Sequence, residues 1–84
     1  VMGHVLSAGC GQAPAKQAAQ GAGLPDETVC WTVNKVCSSG MKAIQAGALS
    51  IALGQTRSCV AGGMESMSNA PHLTVNARQG WPYG

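Results

Sequence analysis

Phenylalanine is absent from this sequence, and only Trp31, Trp81 and Tyr83 carry aromatic rings. Charge is almost as scarce: 10% of the residues are Asp, Glu, Lys or Arg, against the roughly 25% usual in globular domains. So short a chain with so few charges has little surface meant for water, which points to a segment from the inside of something larger. The net charge of +2 comes from Lys16, Lys35, Lys42, Arg57 and Arg78, of which no two are adjacent. The concentrated basic face with aromatic platforms that nucleic-acid binding requires is missing, so no nucleic-acid partner is expected. The longest mostly apolar stretch, Met41 to Leu53, is broken by Lys42, Gln45 and Ser50. A membrane span needs about 20 apolar residues, so none is expected. No charged leader followed by an apolar run opens the sequence, and no secretory signal is expected.

Paired metal ligands are also missing. Cys10, Cys30, Cys37 and Cys59 form no C-x-x-C pair, and His4 and His72 lie far from any cysteine cluster. This excludes the common zinc sites. Cysteine falls below the roughly 8–10% of a secreted disulfide scaffold. Reduced thiols in an intracellular compartment, cytoplasmic or mitochondrial, are the plain expectation. Gly9-Cys-Gly11 begins like a phosphate-cradling loop, but Pro14 stands where G-x-G-x-x-G needs its last glycine, which leaves the dinucleotide reading weak.

What is present is small-residue α/β text. Residues 1–6 read as a short strand, followed by a glycine-punctuated turn. Pro14 suits a first helical position, and the helix it opens runs to about Gln20, with Gly21 or Gly23 to end it. Thr28 to Val33 is rich in β-branched residues and predicts a second strand. Ser38 or Ser39 can cap a second helix from about Met41 to Leu53, stopped at Gly54. Apolar nearly all round, that helix is expected to be buried on most sides. Cys59 to Gly62 predicts an interior strand. The order is β-α-β-α-β, hence a parallel or mixed sheet with helical crossovers. The core is expected over about residues 1–68, with a loop excursion over about 69–84.

Strand–Cys37–Ser–Ser–Gly–helix carries the strongest chemical signal. A helix N-terminus offers free N–H groups and a partial positive charge, which favour a thiolate and lower a thiol's pKa to roughly 3.5–7.5. The same N–H groups can hold the oxyanion formed when a thiolate attacks a thioester. Two readings stand on local physics: a nucleophile, or a buried inert cysteine at a strand end. Cys30 and Cys59, in apolar strands, read as core. Cys10 reads as an exposed turn residue, His4 as a hydrogen-bonding core group and His72 as a loop residue. Glu65, the lone carboxylate of its block, reads as a structural cap or partner. Met41, Met64 and Met67 read as gap-filling core.

The wording around Cys37 is more specific than its spacing. Asn34-Lys-Val-Cys-Ser-Ser-Gly-Met-Lys-Ala43 resembles the nucleophile signature of the thiolases, in particular the subgroup acting on acetoacetyl-CoA. Val60-Ala-Gly-Gly-Met-Glu-Ser-Met-Ser-Asn-Ala-Pro71 is similar to the strand and loop that follow, and Gly11-Gln-Ala-Pro-Ala-Lys-Gln-Ala-Ala19 to the helix before. The three blocks occur in order along almost the whole sequence. The resemblance implies a layered αβαβα fold of which this is a β-α-β-α-β segment, with the nucleophile helix sandwiched between layers. It implies acyl transfer between coenzyme A thioesters through an acyl-cysteine on Cys37, whose own N–H serves as an oxyanion donor. The substrates are then acyl-CoA thioesters, with no tightly bound cofactor and no metal, and the whole protein is a homo-oligomer, commonly a tetramer.

The family's activating histidine and its second, acid/base cysteine lie in C-terminal motifs that no residue here matches, His4, His72, Cys10, Cys30 and Cys59 included. The sequence therefore reads as the middle of a thiolase N-terminal domain, expected to be inactive alone. The competing expectations are a catalytically silent fragment and a redox sensor built on Cys37, the latter needing a resolving cysteine within bonding reach.

Overall fold

Elements form here where a helix can be started and stopped cheaply, and where one strand can be paired on both edges. The computed structural model describes residues 1–84. Its elements are β1 (Met2–Gly3), α1 (Pro14–Gly21), β2 (Thr32–Val33), α2 (Ser39–Ala52) and β3 (Gly62–Gly63), with short 3-10 turns at Met67–Asn69 and Ala77–Gln79. The three strands are parallel in the order β2-β1-β3. Met2 and Gly3 sit opposite Thr32 and Val33 on one side and Gly62 and Gly63 on the other. The β-α-β-α-β order and the parallel sheet are as the sequence predicts.

Both helices follow their punctuation. Pro14 is the first residue of α1, where a missing N–H costs nothing. After Gly21 the chain turns through Gly23, whose φ of 79° needs a glycine, and Leu24 N–H reaches back to Ala19 C=O at 3.0 Å. The end of α2 repeats this closure: Gly54 has φ 71°, and Gln55 N–H donates to Ser50 C=O at 2.9 Å. These are the paired closing bonds of a glycine-terminated helix.

The strands are shorter than expected. Residues 1–6, 28–33 and 59–62 each contribute two strand residues or fewer, and Gly63 replaces Cys59–Ala61 as strand. Only β1 is paired on both edges. The flanks of β2 and β3 have no further strand to bond, and Val29 and Val60 stand exposed. The second helix also departs from expectation. It buries the stripe Ser39, Ala43 and Gly47 against the sheet, while Met41, Ile44 and Leu49 are 68%, 57% and 57% exposed. Within these residues only one layer covers the helix, so one face of an all-round apolar sequence is used.

Glycines let that layer close tightly. A Cβ on Gly3 would lie 2.5 Å from Gly40 N, inside the backbone of α2. On Gly47 it would lie 2.8 Å from Cys59 Sγ. The first turn of α2 thus rests directly on β1 and β3, an approach that only residues without a Cβ allow. Residues 66–84 are all exposed and form no strand.

Candidate active site

Cys37 sits at the carboxyl end of β2, two residues ahead of α2, with its side chain exposed. This is where parallel α/β sheets place their ligands. The turn that carries it is tightly braced. Asn34 Oδ1 accepts the Val36 N–H at 2.9 Å. Ser39 Oγ accepts the Lys35 N–H at 2.8 Å and donates to Val36 C=O at 2.6 Å. Ser38 and Ser39 N–H donate to Lys35 and Val36 C=O, each at 3.1 Å. Neither serine caps the helix through its side chain as expected: Ser38 holds the cap position without such a bond, and the Ser39 hydroxyl is spent on the turn. No periodic pattern marks Ser39 for this task, and only the folded turn reveals it.

Bracing is needed because Val36 has φ 49°. A β-branched residue in the left-handed region is strained, at a cost of order 1–3 kcal/mol. The strain orients the next residue at the start of α2. There the N–H groups of Cys37, Gly40 and Met41 find no acceptor within the chain, as the first turn of a helix dictates. Gly40 carries no side chain over this edge and meets Gly63 Cα 3.7 Å from its would-be Cβ. A depression of about 250 Å³ lined by Lys35, Ser38, Met41, Lys42 and Gln45 opens along the start of α2, and Cys37 is not part of its lining. The turn offers an exposed thiol and unpaired N–H donors close to it along the chain. Unpaired N–H groups of this kind can hold an oxyanion formed at a neighbouring sulfur.

The other candidates lie elsewhere. Cys30 and Cys59 are half-buried and Cys10 is exposed, and all four cysteines are free thiols. Cys59 packs against Gly47, and Cys30 donates weakly to Thr28 C=O at 3.4 Å. The much larger apolar groove, about 1050 Å³, runs past Val29, Trp31, Leu49 and Val60 at the amino ends of the strands and does not include Cys37. His72 is exposed in the tail.

His4 is 7% exposed, with Nε2 3.4 Å from Glu65 Oε1. Glu65 in turn accepts the N–H groups of Leu6 at 2.7 Å and Val5 at 3.0 Å. The Leu6 bond, opposed by burial and helped by the Val5 bond and by His4, holds the Glu65 carboxyl below its ordinary 4.5. Glu65 is the structural partner expected; His4 is buried as expected, but its ring approaches only Glu65 and its Nδ1 has no hydrogen-bond partner. Their partnership could not be read from sequence, because they lie far apart along the chain.

A parallel sheet with a cysteine at a strand-to-helix junction defines the class: α/β proteins that present a thiol at the carboxyl edge of the sheet. The chain belongs to the thiolase family, since the model of the thiolase N-terminal domain matches residues 1–84. It is 60% identical over its full length to acetyl-CoA acetyltransferase 2 of Arabidopsis thaliana, covering 21% of that protein. It is 57% identical over its full length to a probable acetyl-CoA acetyltransferase of Dictyostelium discoideum, covering 20%. A solved structure, the Acat5 thiolase of Ascaris suum in complex with coenzyme A, superposes with a TM-score of 0.84 at 51% identity, covering 88% of this chain and 20% of that one. The chain thus spans about a fifth of the length of the relatives it matches.

Proposed function

We propose that these residues carry the nucleophile of an acetyl-CoA acetyltransferase, with Cys37 as the acyl carrier. The observation that carries the reading is the placement of an exposed Cys37 at a braced strand-to-helix turn beside three unpaired N–H groups, in a thiolase-family chain. In the first half-reaction the Cys37 thiolate attacks the acetyl-CoA carbonyl. The oxyanion takes N–H bonds, the C–S bond to coenzyme A breaks, and the released thiolate is protonated. In the second, a base removes a proton from the α-carbon of another acetyl-CoA. That carbanion attacks acetyl-Cys37, forming acetoacetyl-CoA and freeing the sulfur. Reversal cleaves a 3-oxoacyl-CoA. Capture on sulfur divides one hard carbon–carbon step into two easier ones.

The side chains that activate Cys37 and move the α-proton are assigned to the rest of a longer protein. His4 is buried against Glu65, and His72 lies in the tail. Coenzyme A thioesters are the proposed substrates, supported by the names of the relatives and by the coenzyme A complex of the Ascaris suum thiolase. We also propose a homo-oligomer, a tetramer by family resemblance, acting in lipid metabolism without a tightly bound cofactor. The compartment proposed is cytosolic or mitochondrial, since relatives at 57–58% identity are named for each. No helix is long and apolar enough to cross a membrane.

The test is mass spectrometry of the full-length protein after brief exposure to acetyl-CoA. An acetyl adduct on the peptide holding Cys37, lost in Cys37→Ser, is expected. An adduct confined to Cys10, Cys30 or Cys59, or undiminished acylation of Cys37→Ser, overturns the assignment.

A further inference from the structure

One pair of titratable side chains is in contact and unused by the acyl-transfer reading. The His4 imidazole is buried, with Nε2 3.4 Å from Glu65 Oε1 and Nδ1 enclosed without any partner. An enclosed, unpartnered nitrogen costs free energy, so packing alone does not favour a histidine here. The Glu65 carboxylate meanwhile gathers the Val5 and Leu6 N–H groups. It stands just beyond β3 and clamps the chain just beyond β1.

The clamped residues follow directly on the glycines that seat the helix. Met64 N–H donates to Gly3 C=O at 3.0 Å. Gly3 lies against the backbone of Ser39 and Gly40, and Gly63 lies against Gly40. Ser39 in turn braces the turn that bears Cys37. His4 follows Gly3 directly, just past the end of β1, and its N–H still donates to Val33 C=O at 3.0 Å. The pair therefore ties the chain just past β1 to the chain just past β3, next to the glycines on which the start of α2 rests.

We infer that His4 and Glu65 are a positioning pair for Cys37, locking the exits of β1 and β3 so that Ser39 and Gly40 hold the thiol and its oxyanion donors in register. This rests on the acyl-transfer reading of Cys37. Neither residue touches the reacting atoms. Their effect falls on the rate of acylation, because displacement of a reacting group by about 1 Å can cost roughly 10²-fold in rate.

The experiment compares wild type, Glu65→Gln, His4→Ala, His4→Gln and the His4→Ala/Glu65→Gln double variant in the full-length protein. Acetyl transfer from acetyl-CoA to Cys37 is followed by quenched flow and mass spectrometry, with melting temperature measured alongside. Glu65→Gln keeps the shape but replaces one accepting oxygen with a donor. It is expected to slow acylation about 5- to 50-fold while KM for acetyl-CoA stays within about twofold. His4→Ala should slow it similarly. His4→Gln, whose amide can donate to Glu65, should restore most of the rate. The double variant should be no slower than the slower single one, the mark of residues acting as a unit. Wild-type acylation rates in both Glu65→Gln and His4→Ala overturn the inference, as do losses that multiply in the double variant. If Glu65→Gln does not fold, the His4→Ala and His4→Gln comparison decides alone: equal rates overturn the pair, and rescue by glutamine supports it. Absence of any acetyl adduct on wild-type Cys37 overturns the acyl-transfer reading itself, and this inference with it, and is distinct from equal rates among active proteins.

Discussion

Three residues around the thiol do unlike work: Val36 holds strain, Ser39 contains it, and Cys37 is presented by the result. If Cys37 is the acyl carrier, Cys37→Ser should reduce kcat far more than it changes substrate affinity, because a serine hydroxyl is much less ionised than a thiol and sulfur acts in the bond-making step. Steady-state kinetics of the full-length protein check this, and a variant that alters only KM would count against it. Cys30→Ser and Cys59→Ser should leave acylation intact. Full burial would set their cost at about 1–3 kcal/mol. Both are half-buried within these residues, which places the expected cost at the lower end. Glu65 supplies a pH signature. Its carboxyl is held below 4.5, chiefly by the Leu6 N–H, so the folded state binds the proton less tightly than the unfolded one. The stability this contributes is present above 4.5 and is lost as pH falls through the lower folded value. The melting-temperature gap between wild type and Glu65→Gln should therefore narrow below that pH. A gap that widens on acidification would contradict the sign.

At the scale of elements, helix-to-sheet distance is set by glycines. Gly3→Ala puts a methyl group into the backbone of Ser39 and Gly40, with no flexible side chain to yield. Overpacking of this kind costs about 1–3 kcal/mol or more, and loss of acylation should accompany the drop in melting temperature because the thiol-bearing turn moves with α2. Gly47→Ala meets Cys59 Sγ instead. A side chain can give way, so Cys59→Ala in that background should recover part of the loss, a coupling that a double-mutant cycle measures. Gly21→Ala is the opposite case. Gly21 closes α1 with open space around it and no left-handed backbone. Alanine there should raise stability by up to about 0.5–1 kcal/mol, read as a higher melting temperature.

Taken whole, the 84 residues do not make a closed globule. Six are buried, and the radius of gyration is 16.4 Å over extents of 60 × 26 × 23 Å. A compact chain of this length would have about 12 Å. The exposed apolar face of α2 and the groove past Trp31 and Leu49 leave too little enclosed core for cooperative unfolding. The 84-residue polypeptide alone should show no sharp calorimetric transition, should bind a hydrophobic dye, and should not turn over acetoacetyl-CoA above a Cys37→Ser control. A single sharp melt with turnover would overturn this.

Local chemistry was enough to determine where the helices begin and end, and which cysteine stands at the strand-to-helix junction. Pro14, Gly21, Gly23 and Gly54 act through their own backbone, and a parallel β-α-β-α-β order follows from strands separated by helices. The family wording around Cys37 was likewise contiguous. Tertiary structure alone decided what depends on distant partners. Strand length was set by pairing on both edges, which only β1 has. The exposure of α2 was set by how many layers cover it, which no periodicity states. The His4–Glu65 contact exists because the sheet brings β1 and β3 side by side, so residues some 60 positions apart meet at one edge, whereas the left-handed Val36 and the Ser39 brace are local but carry no periodic or propensity signal. A sequence carries local propensities in order, whereas contacts between distant residues are properties of the assembled sheet.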